Sequence, residues 1–272
     1  MACARLHIGC GLRTAVFLVL GLCSRVPCVC GQFGPLLNPL EGPQANSQEE
    51  LDSVLDIVTA TDSQAILGVA DRFVSSFPQS EFLGVILQYK MFACARIQDF
   101  DCLVASGERA LQVQPDNLNV LLTLASAIPD AADGRAELLT NAHGFAQRAL
   151  ERVGTIHIPH EISLERWRTL RGETEAQAHE ALGKIAAKQG KLETAIAEFE
   201  IAAFKTPSPQ GSQFLLLGTT YVSAGKTTEA RSALRRAAEL GPEEVRKQAS
   251  SALEKLNKIN PDPNSRNKKT VH

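Results

Sequence analysis

The stretch AQAHEALGKIAAKQGKLETAIAEFEIAAFKTP, residues 176–207, is followed by a second stretch of the same length and design, GSQFLLLGTTYVSAGKTTEARSALRRAAELGP, residues 211–242. The two stretches are offset by 35 residues, and residue types with special backbone or packing properties recur at that offset. The recurring pairs are Gly183 and Gly218, Gly190 and Gly225, Ala195 and Ala230, Ala202 and Ala237, and Pro207 and Pro242. An internal repeat of this length indicates a stack of similar units.

Each stretch carries the signals of two helices joined by a short turn. Gly190 stands where a residue with positive φ most easily ends the first helix. Pro207 stands where the second helix must end, because proline lacks an N–H and clashes inside a helix. Gly183 and Ala195 are small where the two helices of one stretch touch, and Ala202 is small where the second helix meets the next stretch. We therefore expect antiparallel helix pairs that pack on one another.

This pattern resembles the tetratricopeptide repeat, which reads W-x2-L-G-x2-Y, A-x3-F and P over about 34 residues. Residues 176–244 match its small-residue frame twice, whereas His179 and Ala186 stand where the family has Trp and Tyr. The resemblance implies an all-α fold, an α-solenoid of antiparallel helix pairs, and a role in binding other proteins. An aromatic content of 5% and the absence of convincing period-2 alternation agree with that class.

Divergent versions of the same unit are predicted across residues 47–175, followed by the two clear repeats and a capping helix across 176–257. Ser47-x-x-Glu50 has the pattern of a capping box. After it, four apolar residues are expected on one buried helix face. They are Leu51, Val54, Leu55 and Val58. In the next unit Ala110 and Pro115 keep the spacing of the clear repeats, although Gly107 stands where the first clear repeat has Phe199.

Other boundaries follow from breakers and caps. Ile128-Pro129-Asp130 is expected to split the third unit, and a long helix is expected from about Ser163 to Gln189. Glu243–Leu256 is expected to form the polar end cap that solenoids need. The total is about ten helices. Residues 258–272 are polar, basic and interrupted by proline, and we predict a disordered tail.

The first 31 residues have the design of a secretory signal peptide. Arg5 and Arg13 lie before or at the start of an apolar run at 14–22, and no acidic residue occurs before Glu41. The run is shorter than the about 20 apolar residues that span a bilayer. We therefore expect cleavage next to Gly31, followed by a proline-rich linker at residues 32–46.

A retained N-terminal anchor and a lipid attachment are the two other interpretations of this segment. Cys23, Cys28 and Cys30 are the cysteines that lipidation would use. The residue before each is Leu, Pro or Val, and none resembles the small residue that precedes a lipid-attachment cysteine. Cleavage predicts a protein of the periplasm or cell envelope. Phe77-Pro78-x-Ser80 resembles part of the repeats of outer-membrane assembly lipoproteins, which suggests a role in envelope assembly.

The charge balance gives no indication of a nucleic-acid partner. The net charge is −2, and it becomes −5 without residues 1–31, where three basic residues and no acidic residue lie. A membrane would be contacted only through an uncleaved N-terminal segment. The expected partner is therefore a protein or a peptide, and no cofactor is predicted.

Two clusters have some resemblance to chemical sites. Gly225-Lys226-Thr227 resembles the end of a phosphate-binding loop, but Thr220 stands where that loop needs glycine, so we interpret the segment as a turn between helices. His157-Ile-Pro-His160-Glu161 offers side chains that bind metals, although Pro159 prevents a regular helical ligand spacing. A hydrolase or metal-binding protein that uses the His157–Glu161 loop is the alternative function. No catalytic motif occurs elsewhere, and we predict that the protein is not an enzyme.

The resemblance also assigns a groove for a partner. In the family the concave face comes from first-helix residues that do not pack inward. At those places this chain has Gln177, Glu180, Lys184 and Lys188 in the first clear repeat, and Ser212, Leu215 and Thr219 in the second. Glu180 and Lys184 occupy the turn where the family's carboxylate clamp has Lys and Asn, so that specificity is not implied. The alternative is a solvated face on which Glu180 and Lys184 form an i,i+4 pair.

Five of the seven cysteines lie within residues 1–31, which leaves Cys94 and Cys102 on either side of the Gln98-Asp99 turn. An oxidising compartment permits a bridge between them. Packed helix axes lie about 8–10 Å apart, whereas a disulfide needs Cα atoms about 4.4–6.8 Å apart. Two small buried side chains are therefore the preferred interpretation, and a Cys94–Cys102 disulfide is the alternative.

Export is testable on protein isolated from the native host. We expect intact-mass spectrometry to find an N-terminus near Gln32, because residues 1–31 have the design of a cleaved signal. A chain that keeps Met1 in a soluble cytoplasmic fraction would refute this expectation.

Overall fold

The computed structural model describes residues 42–131, 135–156, 162–206 and 209–260. Within these ranges the chain is helical and contains no strand, so the predicted all-α class is confirmed. The described residues form eleven helices, against the prediction of about ten. They are α1 Gln48–Thr59, α2 Ser63–Ser76, α3 Leu83–Arg96, α4 Phe100–Val113, α5 Leu118–Ala131, α6 Ala136–Thr155, α7 Leu164–Lys188, α8 Leu192–Lys205, α9 Gly211–Ser223, α10 Thr227–Leu240 and α11 Glu243–Ile259.

Consecutive helices pack as pairs, and the pairs stack. The pairs are α1 with α2, α3 with α4, α5 with α6, α7 with α8, and α9 with α10, and α11 follows against α10. Each second helix also packs on the first helix of the next pair, and first helices of successive pairs meet at α1–α3, α5–α7 and α9–α11. One apolar cluster therefore runs from α7 to α11 without interruption. This arrangement is an α-solenoid, in which neighbouring pairs complete each other's core.

Polar side chains begin the helices at several of the predicted places. Ser47 accepts a hydrogen bond from the N–H of Glu50 at 3.1 Å, and Asp62 accepts one from Ala65 at 2.7 Å. The carboxylate of Glu50 accepts the N–H of Asn46 at 2.6 Å, one residue before the place that a regular capping box uses. Ser163 caps α7, whose bounds agree with the long helix predicted from the sequence.

The turns inside the α3–α4, α7–α8 and α9–α10 pairs each contain one residue with left-handed backbone geometry. Gly190 and Gly225 both have φ of 73°, at the same place in the two clear repeats. Gln98 has φ of 61° between α3 and α4, and it precedes Gly190 by the separation that relates Ala110 to Ala202. A side chain is disfavoured at such φ by about 1–2 kcal/mol. The stack therefore keeps this turn geometry even where the sequence lacks glycine.

A large side chain lies over a small residue where the helices of a pair cross. A Cβ atom added to Gly183 would lie 2.5 Å from the ring of Phe199, which is buried. A Cβ atom added to Gly218 would lie 2.8 Å from Leu234, the residue that corresponds to Phe199 in the second repeat. Real Cβ atoms do not approach neighbours so closely, so both glycines set the distance between their helices.

In the α3–α4 pair the large residue lies on the first helix and the small residue on the second. Met91 takes the place of Gly183 on the first helix, and Gly107 takes the place of Phe199 on the second. A Cβ atom added to Gly107 would lie 2.9 Å from the sulfur atom of Met91 and 2.7 Å from the side chain of Leu124 on α5. The mismatch that the sequence has at Gly107 is therefore an inverted form of the same contact, with the large residue on the other helix.

The predicted buried face of α1 is wrong in part. Val54 is buried, but Leu55 and Val58 are each 45% exposed, and Ile57 is buried in their stead. The described neighbours of α1 are α2 and α3. They cover only one narrow side of α1, so a four-residue apolar face cannot all be enclosed.

The predicted split at residues 128–130 is also wrong. Helix α5 continues through Pro129 and ends at Ala131, and both Ile128 and Pro129 are buried. Proline removes one helical hydrogen bond. This proline lies in the last turn, where the loss affects the end of the helix alone, and the burial of Ile128 favours keeping the turn.

Helix α11 closes the described stack with a polar outer face, as predicted. Its buried residues are Ala249 and Leu256, and both face the preceding helices. Arg231 of α10 is itself buried and donates to the side chain of Asn257 at 2.6 Å and to the carbonyl oxygen of Asn260. The end of α11 is thereby fixed to α10. Among the described helices, none combines the length and the apolar composition that crossing a membrane requires.

The crossing contact predicts opposite effects for two glycine-to-alanine changes inside helices. Alanine gains about 1 kcal/mol of helix propensity over glycine at either place. Gly144→Ala should be stabilising, because nothing lies within 4 Å of the new Cβ atom. Gly183→Ala should be destabilising, because its methyl group meets the buried Phe199 ring and overpacking costs about 1–3 kcal/mol.

Urea unfolding followed by circular dichroism compares the two variants with the parent chain. Gly144→Ala serves as the matched control for propensity. If Gly183→Ala were stabilised to the same degree, the crossing contact would not set the helix separation.

Candidate functional site

The predicted groove residues of the first clear repeat lie along one face of α7. Gln177 and Lys188 are exposed at the two ends of this row, and Glu180 and Lys184 are half-buried between them. The spacing of three or four residues places all four side chains on the same side of a helix. The family register thus corresponds to a continuous polar row in the structure.

The predicted groove residues of the second repeat lie on α9. Ser212 and Leu215 are half-buried and Thr219 is exposed. The hydroxyl of Thr219 donates back to the carbonyl oxygen of Leu215 at 2.9 Å. These three side chains are at least partly accessible to solvent, and they take no part in the ion pairs around Lys184 of α7.

A cluster of three charges forms around Lys184. Its Nζ atom lies 3.1 Å from Oδ2 of Asp130, at the end of α5, and 3.7 Å from Oε1 of Glu180, one turn earlier on α7. The i,i+4 pair was expected from the sequence. Asp130 was not, because it is 54 residues away and belongs to a different helix pair. Contact between α5 and α7 brings them together.

Glu180 is the unusual member of this cluster. Burial raises the pKa of its carboxyl above the ordinary range, and the charge of Asp130 adds to the rise, while Lys184 acts in the opposite direction without cancelling it. The folded chain therefore holds a proton on Glu180 more tightly than the unfolded chain does. At neutral pH the ionised carboxylate consequently lowers the stability of the fold.

His179 lies at a packing position, as its place in the repeat predicts. Its Nδ1 atom is 2.7 Å from Oε2 of Glu198 on α8, and both side chains are largely covered. On the next helix the hydroxyl of Tyr221 donates to the carboxylate of Glu200. Burial raises the pKa of the Tyr221 hydroxyl, and Glu200 adds to the shift. These contacts join α7, α8 and α9 and have the character of structural hydrogen bonds.

The two clusters that resemble chemical sites have different outcomes. Gly225-Lys226-Thr227 is a turn between α9 and α10, and Nζ of Lys226 lies 2.6 Å from Glu193. The interpretation as a turn is confirmed. The His157–Glu161 loop lies outside the described residues. Elsewhere, the described side chains form no group of three or more that could hold a metal ion.

Cys94 and Cys102 face each other across the α3–α4 turn. Their Cα atoms are 5.7 Å apart and the structure pairs their sulfur atoms. The usual distance between packed helix axes favoured two unbridged cysteines. Near a tight turn, however, two backbones approach each other more closely than that distance. Cys94 lies in the last turn of α3 and Cys102 in the first turn of α4. The geometry therefore fits a disulfide, which stays a prediction for the protein in solution.

Two family models described as tetratricopeptide repeat match the chain, one at residues 161–211 and one at 214–244. No curated protein matches the chain in sequence. Both matched segments contain residues of the polar row on α7 or of the predicted groove on α9.

Solved structures resemble most of the stack. The crystal structure of PilW, a widely conserved type IV pilus biogenesis factor, gives a TM-score of 0.53 at 15% identity, covering 76% of this chain and 87% of PilW. TTC0263, a thermophilic tetratricopeptide-repeat protein of Thermus thermophilus, gives 0.46 at 18% identity, covering 76% of this chain and 98% of that one. At 15% identity the likeness to PilW concerns the fold alone, and nothing further is drawn from TTC0263.

The cysteine pair generates a redox prediction. In a chain that begins at Gln32, and so has no other cysteine, thiol titration of the denatured, unreduced protein should find no free thiol. Reduction should lower the free energy of unfolding by about 2–3 kcal/mol, because the bridge closes a short loop in the unfolded chain. The double variant Cys94→Ala/Cys102→Ala should not respond to reductant. Two free thiols before reduction would exclude the bridge.

Proposed function

Since this chain is a tetratricopeptide-repeat protein, we propose that it is a binding scaffold whose concave face holds a peptide or protein segment. The partner groove in this proposal consists of the polar row on α7, the predicted residues on α9, and Asp130 of α5. Tetratricopeptide repeats generally mediate contacts between proteins, and a stack of helix pairs presents an extended surface for that purpose. We propose no enzymatic role, because the sequence contains no catalytic motif.

The observation that carries this proposal is the half-buried carboxylate of Glu180. Its raised pKa means that the ionised side chain lowers the stability of the fold at neutral pH. A face that is merely solvated does not require a half-buried carboxylate whose charge burial disfavours. Residues that lower stability are commonly kept for binding or catalysis.

The charges of the cluster indicate what would bind. Glu180 and Asp130 supply two carboxylates against the one ammonium of Lys184, so the cluster carries an excess negative charge. Asp130 is the most exposed of the three, with 64% of its side chain accessible. A partner segment with a lysine or arginine side chain would balance this charge, and charge complementarity favours both encounter and register.

We also propose that the protein acts after export, in the periplasm or cell envelope. The support is the signal-like composition of residues 1–31. A role in envelope assembly remains part of this proposal. The resemblance to PilW concerns the fold alone and assigns no pilus role to this chain.

Site-specific photo-crosslinking in the native host tests the groove. A crosslinking amino acid at Gln177 or at Lys188, both exposed on α7, should capture the same discrete protein. The matched control is the same amino acid at Glu151, which is exposed on α6, a second helix of its pair. Equal capture at all three positions, or none at Gln177 and Lys188, would contradict the groove.

Glu180→Gln separates stability from binding in the same experiment. At pH 7 the variant should unfold at a higher temperature than the parent, because the unfavourable buried charge is gone. The difference should fade as the pH falls toward about 4, where both folded and unfolded chains hold the proton. Capture at Lys188 should fall although the fold is more stable. Unchanged capture would mean that Glu180 does not contact the partner.

A further inference from the structure

The second helices carry an exposed apolar surface that the groove does not include. On α8, Phe204 is 60% exposed and Ile201 is 38% exposed, one turn apart. They line a shallow depression of about 450 Å³ together with three polar residues. These are His179, Glu200 and Lys205. With Arg236 of α10, Ile201 and Phe204 form what we call the Phe204 surface.

The repeat itself does not require these two apolar side chains. The residues that correspond to Ile201 and Phe204 in the second clear repeat are Arg236 and Glu239, both charged. The second copy thus has no apolar side chain at either position, so the packing of the repeat does not need one there. Ile201 and Phe204 are adjacent and are rimmed by polar side chains, and an apolar patch of that kind is typical of a contact site.

Arg236 is held in place by aromatic rings. Its guanidinium carbon lies 4.3 Å from the centre of the Phe214 ring and 5.4 Å from that of Phe204. The two rings meet edge to face at 5.5 Å. Such contacts fix a guanidinium through its flat faces. Its N–H edge remains able to donate.

The charges around the depression leave one cation without a carboxylate. Lys205 lies 3.3 Å from Glu175, His179 pairs with Glu198, and Glu200 accepts the Tyr221 hydroxyl. Within the described part of the chain, Arg236 forms no ion pair and its guanidinium makes no hydrogen bond. The surface therefore combines an apolar floor with one oriented, uncompensated positive charge.

We propose that the Phe204 surface is a second docking site, independent of the partner groove, for a peptide segment that carries a carboxylate beside a large apolar side chain. The apolar side chain packs on Ile201 and Phe204, and the carboxylate accepts two N–H donors from Arg236. Arginine binds carboxylates in this bidentate manner. A buried aromatic contact beside an arginine is the composition that dominates binding energy in protein interfaces.

The test begins with phage-displayed random peptides selected on the full chain. One group of the selected sequences should pair an aromatic or aliphatic residue with a neighbouring Asp or Glu, and basic peptides that the acidic partner groove selects form a separate group. The best peptide, synthesised with a fluorophore, should bind at least about tenfold more weakly to Phe204→Ala, to Ile201→Ser and to Arg236→Glu. Ile259→Ala removes an apolar side chain that is more exposed than Phe204 and lies elsewhere, on α11, and this variant should bind as the parent does.

A charge exchange distinguishes recognition from a folding effect. Arg236→Glu should bind a version of the peptide in which lysine replaces the acidic residues, and the parent chain should not. Circular dichroism confirms that each variant is folded. The proposal would be overturned if no selected peptide paired an apolar residue with an acidic one. It would also be overturned if the peptide bound Phe204→Ala and Arg236→Glu as tightly as it binds the parent chain. A third contrary outcome is a dimer of the parent chain in sedimentation that is absent for Phe204→Ala. A second copy of the chain would then occupy the surface.

Discussion

The stack depends on how closely the two helices of a pair can approach. In the α7–α8 pair that distance is set by Gly183 under the ring of Phe199, and in the α9–α10 pair by Gly218 under Leu234. The α3–α4 pair reaches the same result with Met91 over Gly107. In these three pairs a large side chain lies over a glycine at the crossing point, and either helix can supply the large side chain. Cores generally tolerate exchanges that preserve total volume.

This packing decides which side chains remain for function. The inward sides of the helices are occupied by the crossing contacts and by the apolar clusters between pairs. The outward row of α7 is free to carry Glu180 and Lys184, and the outward row of α8 carries Ile201 and Phe204. The two surfaces differ in chemistry, since one has an excess of carboxylate and the other a single oriented guanidinium. A scaffold with two such faces could hold two different segments at once.

The turn inside the α3–α4 pair illustrates how local geometry controls chemistry. Gln98 adopts the left-handed conformation that glycine has in the clear repeats, so the chain reverses within two or three residues. That tight reversal brings Cys94 and Cys102 to a Cα separation of 5.7 Å, which is shorter than the usual distance between packed helix axes. The closeness of the two cysteines is thus a consequence of the same turn geometry that the clear repeats have.

The sequence by itself determined the repeat, the helix pairs and most helix boundaries, including the long α7 and the polar cap α11. These features depend on residues that act locally, such as a capping serine, a glycine with positive φ, or a small residue at a fixed place. Only the tertiary structure decided that Lys184 meets Asp130, that α5 continues through Pro129, and that Leu55, Val58, Ile201 and Phe204 stay exposed. The physical reason is that exposure and ion pairing depend on which neighbouring helix covers a face. Stacking of separate helix pairs brings together residues that are far apart in the sequence and that no repeating pattern connects.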